Sequence, residues 1–179
     1  TLVLGHLHGV DVTGDPATDG SHLKLAERLT ETCYKMYTMA ATGLGPEIVH
    51  FDRVTATAAG GASSAAAAAA AAAGESKMVI RAADTHNILR PEVVESIYYM
   101  WYASQRPVYR EWGWKIATRF ERFSKVATGG YSGIQNVNNG AGHKIDAMES
   151  FFLSETLKYL FLLFSDKSLV PLENTIFNT

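Results

Sequence analysis

Leu89-Arg90-Pro91-Glu92-Val93-Val94-Glu95-Ser96 is the stretch on which the reading of this chain turns, and Met148-Glu149-Ser150-Phe151-Phe152-Leu153-Ser154-Glu155 echoes it further on. Each places carboxylates at what reads as the opening of a helix, in a chain otherwise built for burial. Pro91 suits a first helical position, because its missing N–H has no intrahelical partner there and its φ is already helical. Glu92 and Glu95 then share one helical face. Such a pair either faces water or faces a common interior, where an enclosed carboxylate needs a cation, donors or a proton.

Working outward, helical periodicity dominates. Between Ser21 and Thr42, the residues Leu23, Leu25, Ala26, Leu29, Cys33, Met36 and Tyr37 recur near the i, i+3, i+4 pattern, with Ser21 as a candidate N-cap and Gly43 as a stop. Pro91 to Ala103 gives a second helix. A third starts at Pro107 and runs to about Ser124, with Tyr109, Trp112, Ile116 and Phe120 along one face. The last is predicted from about Asp146 to Phe164, Asp146 and Glu149 standing at capping-box spacing. Trp112, Trp114, Tyr98, Tyr99 and Trp101 read as core or interhelical packing. Between the third and last helices, Thr128-Gly129-Gly130-Tyr131-Ser132-Gly133 and the asparagines that follow carry turn chemistry, a loop or a small hairpin. The expected class is all-α.

From about 55 to 74 the chain turns to Ala, Gly and Ser, with unbroken alanine from Ala65 to Ala73. An isolated alanine helix this short is marginal, so a poorly ordered, low-complexity surface insertion is the expectation.

The 179 residues, 47% of them hydrophobic, are enough for one domain with a core. A formal net charge of -2 with intermixed signs offers no basic stripe for a phosphate backbone, which argues against nucleic acid as a partner. The longest strongly apolar stretch, Tyr159 to Phe164, falls far short of the roughly 20 residues that cross a bilayer, and nothing reads as a signal peptide. The lone Cys33 is ordinarily a small buried hydrophobe. His50 and His86 lack the compact spacing of a zinc pair. Opening on Thr1-Leu2-Val3 without an initiator Met and stopping after Ile176-Phe177, the chain reads as a piece of a longer protein.

Five strings in order carry a resemblance: Thr42-Gly43-Leu44-Gly45-Pro46-Glu47-Ile48-Val49; Asp84-Thr85-His86-Asn87 with Leu89-Arg90-Pro91-Glu92; Glu111-Trp112-Gly113-Trp114; Met148 to Tyr159; and Val170 to Thr179. Together they resemble the C-terminal part of the class I α-mannosidases, the α1,2-mannosidases of glycoside hydrolase family 47, over nearly the whole chain outside the insertion. The resemblance implies the later helices and C-terminal hairpin of an (α/α)7 barrel that this chain cannot close alone. It also implies calcium dependence and inverting removal of terminal α1,2-linked mannose from high-mannose N-glycans in the lumen of the secretory pathway (ER or Golgi) or outside the cell. An upstream segment would do any membrane anchoring.

The resemblance assigns roles residue by residue. Glu92 matches the catalytic base, and a helix N-terminus favours its ionised form; the plain alternative is a solvated N-terminal carboxylate. Arg90 matches an arginine that contacts substrate and organises the carboxylates, with simple charge compensation of Glu92 or Glu95 as the alternative. Glu47, Glu95 and Glu155 match acidic positions lining the cavity, some of which hold the water shell of the calcium, although Glu47 and Glu155 also suit exposed positions. Phe151 matches the aromatic under the terminal mannose. Thr179 matches a threonine that gives calcium its hydroxyl and backbone carbonyl. The matches to the general acid and to the disulfide partner of Cys33 fall before Thr1, so the catalytic set is incomplete and the chain by itself is expected to be inactive. Two other readings stand beside this one: a lectin-like quality-control relative that binds high-mannose glycans with little hydrolysis, and a non-catalytic helical scaffold.

Overall fold

A computed structural model of the chain describes residues 2–9, 22–54, 74–140 and 143–177. The predicted insertion at about 55–74, apart from Gly74, lies outside them, as do Ser21 and Thr179. The described residues are mostly helical: α1 (Leu2–Leu7), α2 (His22–Met39), α3 (Glu92–Ser104), α4 (Pro107–Phe123) and α5 (Lys158–Phe164), with a two-stranded antiparallel sheet of β1 (His50–Arg53) and β2 (Ser76–Val79). Helix α3 is the hub and packs against α1, α2, α4 and α5. Its Val94, Ile97, Tyr98, Met100, Trp101 and Tyr102 are buried, so almost its whole circumference is core. That is the pattern of a helix enclosed on several sides.

The helix boundaries follow local chemistry. Gln105 adopts the left-handed conformation (φ 54°) and donates its N–H to Trp101 O, closing α3, while Arg106 is extended ahead of Pro107 at the first turn of α4. The two helices thus form a tight αα-hairpin. On α4, Tyr109, Gly113, Ile116 and Phe120 make the buried face. A Cβ on Gly113 would lie 2.2 Å from Leu163 Cδ2, so the absence of a side chain there lets α4 and α5 approach closely. Arg110 on α4 donates to Leu163 O (2.7 Å) and Ser165 O (2.9 Å), satisfying carbonyls left over at the end of α5, with its guanidinium 4.2 Å from the Trp101 ring.

Several expectations are corrected. Helix α3 starts one residue later, at Glu92, with Pro91 already in helical φ/ψ. The core face of α2 is His22, Ala26, Thr30, Tyr34 and Tyr37, whereas Leu25 and Leu29 are 42% and 51% exposed. The apolar periodicity locates a face but cannot say which flank of it is covered. Trp114 is exposed and meets Phe164 edge-on. No capping box opens the last helix: Asp146 has φ 60° and donates its N–H to Ser132 Oγ, and the helical run begins at 150. Its first turns are a π-helix, Phe152–Leu157, before α5. Leu153 is exposed.

The described residues of the connection between α4 and the last helical run, 125–140 and 143–147, form an anchored loop. Ile134 pairs with both Asn87 and Lys144, and Lys125 with Tyr131. Ile134 and Val137 are buried, and Val137 O receives both the N–H and the hydroxyl of Thr42. The sheet was not foreseen. Val54 N–H bonds to Glu75 O, so the strands of one hairpin flank the alanine-rich stretch.

Candidate active site

The openings of α3 and of the 150–164 helical run come together beside the 44–47 segment. Arg90 Nε donates to Glu47 Oε1 at 2.5 Å, and its Nη1 lies 3.7 Å from Glu92 Oε1. The guanidinium also sits 5.7 Å from the centre of the Phe151 ring. The bond from Glu47, outweighing the opposing effect of burial, raises the Arg90 pKa further above its ordinary value, so the cation is permanent. Side-chain exposure is 17% for Glu47, 47% for Arg90 and 62% for Glu92. Glu47 is therefore committed to Arg90, and Glu92 is the carboxylate open to water or a ligand.

Glu47, Arg90 and Glu92 border a cleft of about 290 Å³ whose wall also includes Met36, Tyr37 and Pro46. Tyr37 is buried, and that burial, followed by the negative charges of Glu92, Cys33 and Glu47, drives its phenol well above the ordinary range. It stays a neutral wall. Gly45 passes directly over that ring: a Cβ there would be 2.7 Å from Tyr37 Cε2. Cys33 is a free thiol in this chain, half-buried on the same wall, with its pKa raised by burial.

Backbone tethers set the positions of the polar groups. Glu47 N–H donates to His86 O (2.7 Å), and Asn87 Nδ2 donates to Gly45 O (2.7 Å). Leu89, fully buried, has φ 71°, a conformation a non-glycine residue seldom adopts. Its N–H goes to Asn87 Oδ1 (3.0 Å), and its carbonyl accepts from Thr156 Oγ1 (2.7 Å).

Glu95 and Glu155 belong to a neighbouring cluster. Tyr159 donates its hydroxyl to Glu95 Oε1 at 2.9 Å. Burial, then that bond, then the charges of Glu95, Tyr99 and Glu155 raise the Tyr159 pKa, so it acts only as a proton-bearing donor. Phe177 packs edge-on against Tyr159 (5.6 Å) and tilted against Tyr98 (6.3 Å), with Lys158 Nζ 4.8 Å from its ring centre. The C-terminal segment is thereby held beside Glu95. Thr179, two residues on, lies outside the described residues.

The predicted residues thus fall into two adjoining groups: Arg90, Glu92, Glu47 and Phe151, and Glu95 with Glu155 around Tyr159. Sequence reasoning missed Tyr159, Tyr37, Asn87 and Thr156. Only Asn87 carried a local signal, a short polar side chain two residues ahead of the amide it accepts. Apart from Arg90, the convergent charged groups are carboxylates, hard oxygen donors that suit a calcium-like cation. Among the described residues no three His, Cys, Asp or Glu side chains cluster closely enough to hold a metal by themselves. His50 instead pairs with Asp84 at 2.8 Å, away from this cluster.

Residues 2–179 match glycosyl hydrolase family 47. The human endoplasmic reticulum mannosyl-oligosaccharide 1,2-alpha-mannosidase is 44% identical over 181 residues, covering 100% of this chain and 22% of its own length. Human mannosyl-oligosaccharide 1,2-alpha-mannosidase IB is 39% identical over 89% of this chain and 22% of its own length. Among solved structures, the alpha-1,2-mannosidase from Trichoderma reesei superposes with a TM-score of 0.66 at 26% identity, over 92% of this chain and 32% of that one. The chain therefore spans about a fifth of the length of these curated relatives, and its helices are part of an (α/α)7 barrel.

Proposed function

This chain belongs to glycosyl hydrolase family 47, and from that premise we propose that the complete protein removes terminal α1,2-linked mannose from high-mannose N-glycans by inverting hydrolysis. This chain is the C-terminal portion of its catalytic domain. One observation supports the reading above the rest: Arg90, neutralised by Glu47 and set against Phe151, leaves Glu92 uncommitted and facing the cleft. An aromatic for the apolar face of a sugar, a fixed fork of donors for its hydroxyls and a free carboxylate form half of an inverting glycosidase site.

In the proposed reaction Glu92 takes a proton from the water that attacks the anomeric carbon. The bond to the departing oxygen breaks as a second carboxyl group protonates that oxygen; the resemblance puts this acid before Thr1. Glu92 stands in the first turn of α3, beside the helix N-terminus. Arg90 orients Glu92 and the sugar, and Phe151 supports the ring. Glu47, Glu95 and Glu155 line the cavity, with Tyr159 fixing the direction of Glu95. Calcium is the proposed cofactor, held by the hydroxyl and carbonyl of Thr179 and by water that the carboxylates retain; when bound it would supply positive charge and coordination for sugar hydroxyls. Work in the lumen of the secretory pathway, and a disulfide between Cys33 and an upstream cysteine, belong to the same proposal.

The test is mannose release from an α1,2-linked high-mannose glycan by the complete protein, with calcium and with chelator. Calcium-dependent release supports the reading. Glycan binding without release would replace it with the lectin-like one, and neither activity would leave a scaffold.

A further inference from the structure

Leu89 occupies a left-handed backbone position that costs a leucine energy and that glycine would adopt freely. Its side chain is fully buried, which accounts for leucine over glycine but not for the turn. The turn re-aims the chain from the extended 85–88 segment into Arg90 and the first turn of α3. Two hydrogen bonds hold Leu89 directly. Asn87 receives the Leu89 N–H, and is itself fixed by paired bonds with Ile134 (2.9 Å each way) and by its donation to Gly45 O. On the other side, Thr156 donates its hydroxyl to the Leu89 carbonyl at 2.7 Å.

Thr156 is unusual for a helical threonine. Its hydroxyl leaves its own helix, whereas Thr32 returns its hydroxyl to Arg28 O four residues back. Thr156 is fully buried and lies in the π-helical turn Phe152–Leu157, a wide turn of the kind that recurs at functional sites. On the same helical run stand Phe151 and Glu155; on the segment it grips stand Arg90 and Glu92. Beside the Arg90–Phe151 contact, this bond ties the helical run that carries Phe151 and Glu155 to the segment that carries Arg90 and Glu92.

We propose that Thr156 is a positioning residue for the hydrolysis: through the Leu89 carbonyl it fixes the separation of Glu92 and Arg90 from Phe151 and Glu155. The proposal rests on the function assigned above, and it names an action through Leu89 rather than contact with substrate. Threonine-to-valine keeps shape and removes the donor; threonine-to-serine keeps the donor.

The experiment uses the complete protein as wild type, Thr156→Val and Thr156→Ser, with kcat and KM on an α1,2-linked mannoside and amide exchange followed along the chain. Thr156→Val is expected to lower kcat by about 10- to 100-fold with KM within about threefold, a loss typical of a misplaced reacting group. Thr156→Ser is expected within about threefold of wild type in both. Exchange of the Leu89 and Glu95 amides, which donate to Asn87 Oδ1 and Pro91 O, should quicken at least about tenfold in the valine variant alone, with α4 amides unchanged. Valine with wild-type kcat and exchange overturns the proposal. So does serine as impaired as valine, or exchange quickened equally in every helix, which would make Thr156 merely structural. If wild type releases no mannose, the assigned function fails, while the exchange comparison still decides whether Thr156 holds the turn.

Discussion

At the scale of single residues, the site is a division of labour among like charges. Glu47 and Glu92 both lie within reach of Arg90, yet only Glu47 makes the short bond. Glu92 keeps its lone pairs for something else. Glu92→Gln in the complete protein preserves shape and removes the base, so turnover should fall by roughly 10² to 10⁴ with the thermal midpoint nearly unchanged. Turnover close to wild type would take the base role away from Glu92. The identities of these carboxylates were legible because the strings around them are specific. Their partners were not. Nothing in the letters says that Tyr159 reaches Glu95 across 64 positions, or that Thr156 reaches Leu89 across 67, because long-range bonds depend on how helices dock.

Among the elements, the close approach of α4 and α5 depends on Gly113. Alanine would favour an isolated helix by about 1 kcal/mol, but its Cβ would overlap the buried Leu163 side chain. Overpacking of this kind costs about 1 to 3 kcal/mol, so Gly113→Ala should lower the denaturation midpoint of the complete protein. An unchanged or higher midpoint would mean that α5 slides aside without cost. Helix α4 was legible from end to end, since Pro107 fixes its start and one apolar stripe fixes its face. The last helix was legible only in its second half. Asp146 and Glu149 have the spacing of a cap, but Asp146 instead takes a left-handed turn that brings its N–H to Ser132, a partner from the loop before it. The hairpin of β1 and β2 escaped because neither strand has a buried residue or an apolar alternation to read.

For the molecule as a whole, the core around α3 is rich in tyrosines whose phenols resist ionisation. Burial first, and then neighbouring negative charges, raise the pKa of Tyr37, Tyr98, Tyr99 and Tyr159, with Tyr99 pushed up to about 12. In the unfolded chain these groups ionise near 10. Their contribution is complete below about pH 10 and is lost as pH rises toward the folded values, because only the unfolded state releases its protons there. The thermal midpoint should hold through about pH 9.5 and fall steeply above about pH 10, while tyrosinate absorbance rises over the same range; a flat profile to pH 11 would contradict this. The all-α class and the barrel family were legible from motif order. The exposure of Leu25, Leu29, Leu153 and Phe161 was not, because a hydrophobic pattern records that a face is to be covered and not by what. The measurement that bears most directly on the central claim is the anomeric form of the mannose first released by the complete protein from an α1,2-linked glycan, followed by proton NMR before mutarotation. The account predicts β-mannose, from water delivered by Glu92 opposite the leaving oxygen; α-mannose as the first product would contradict it.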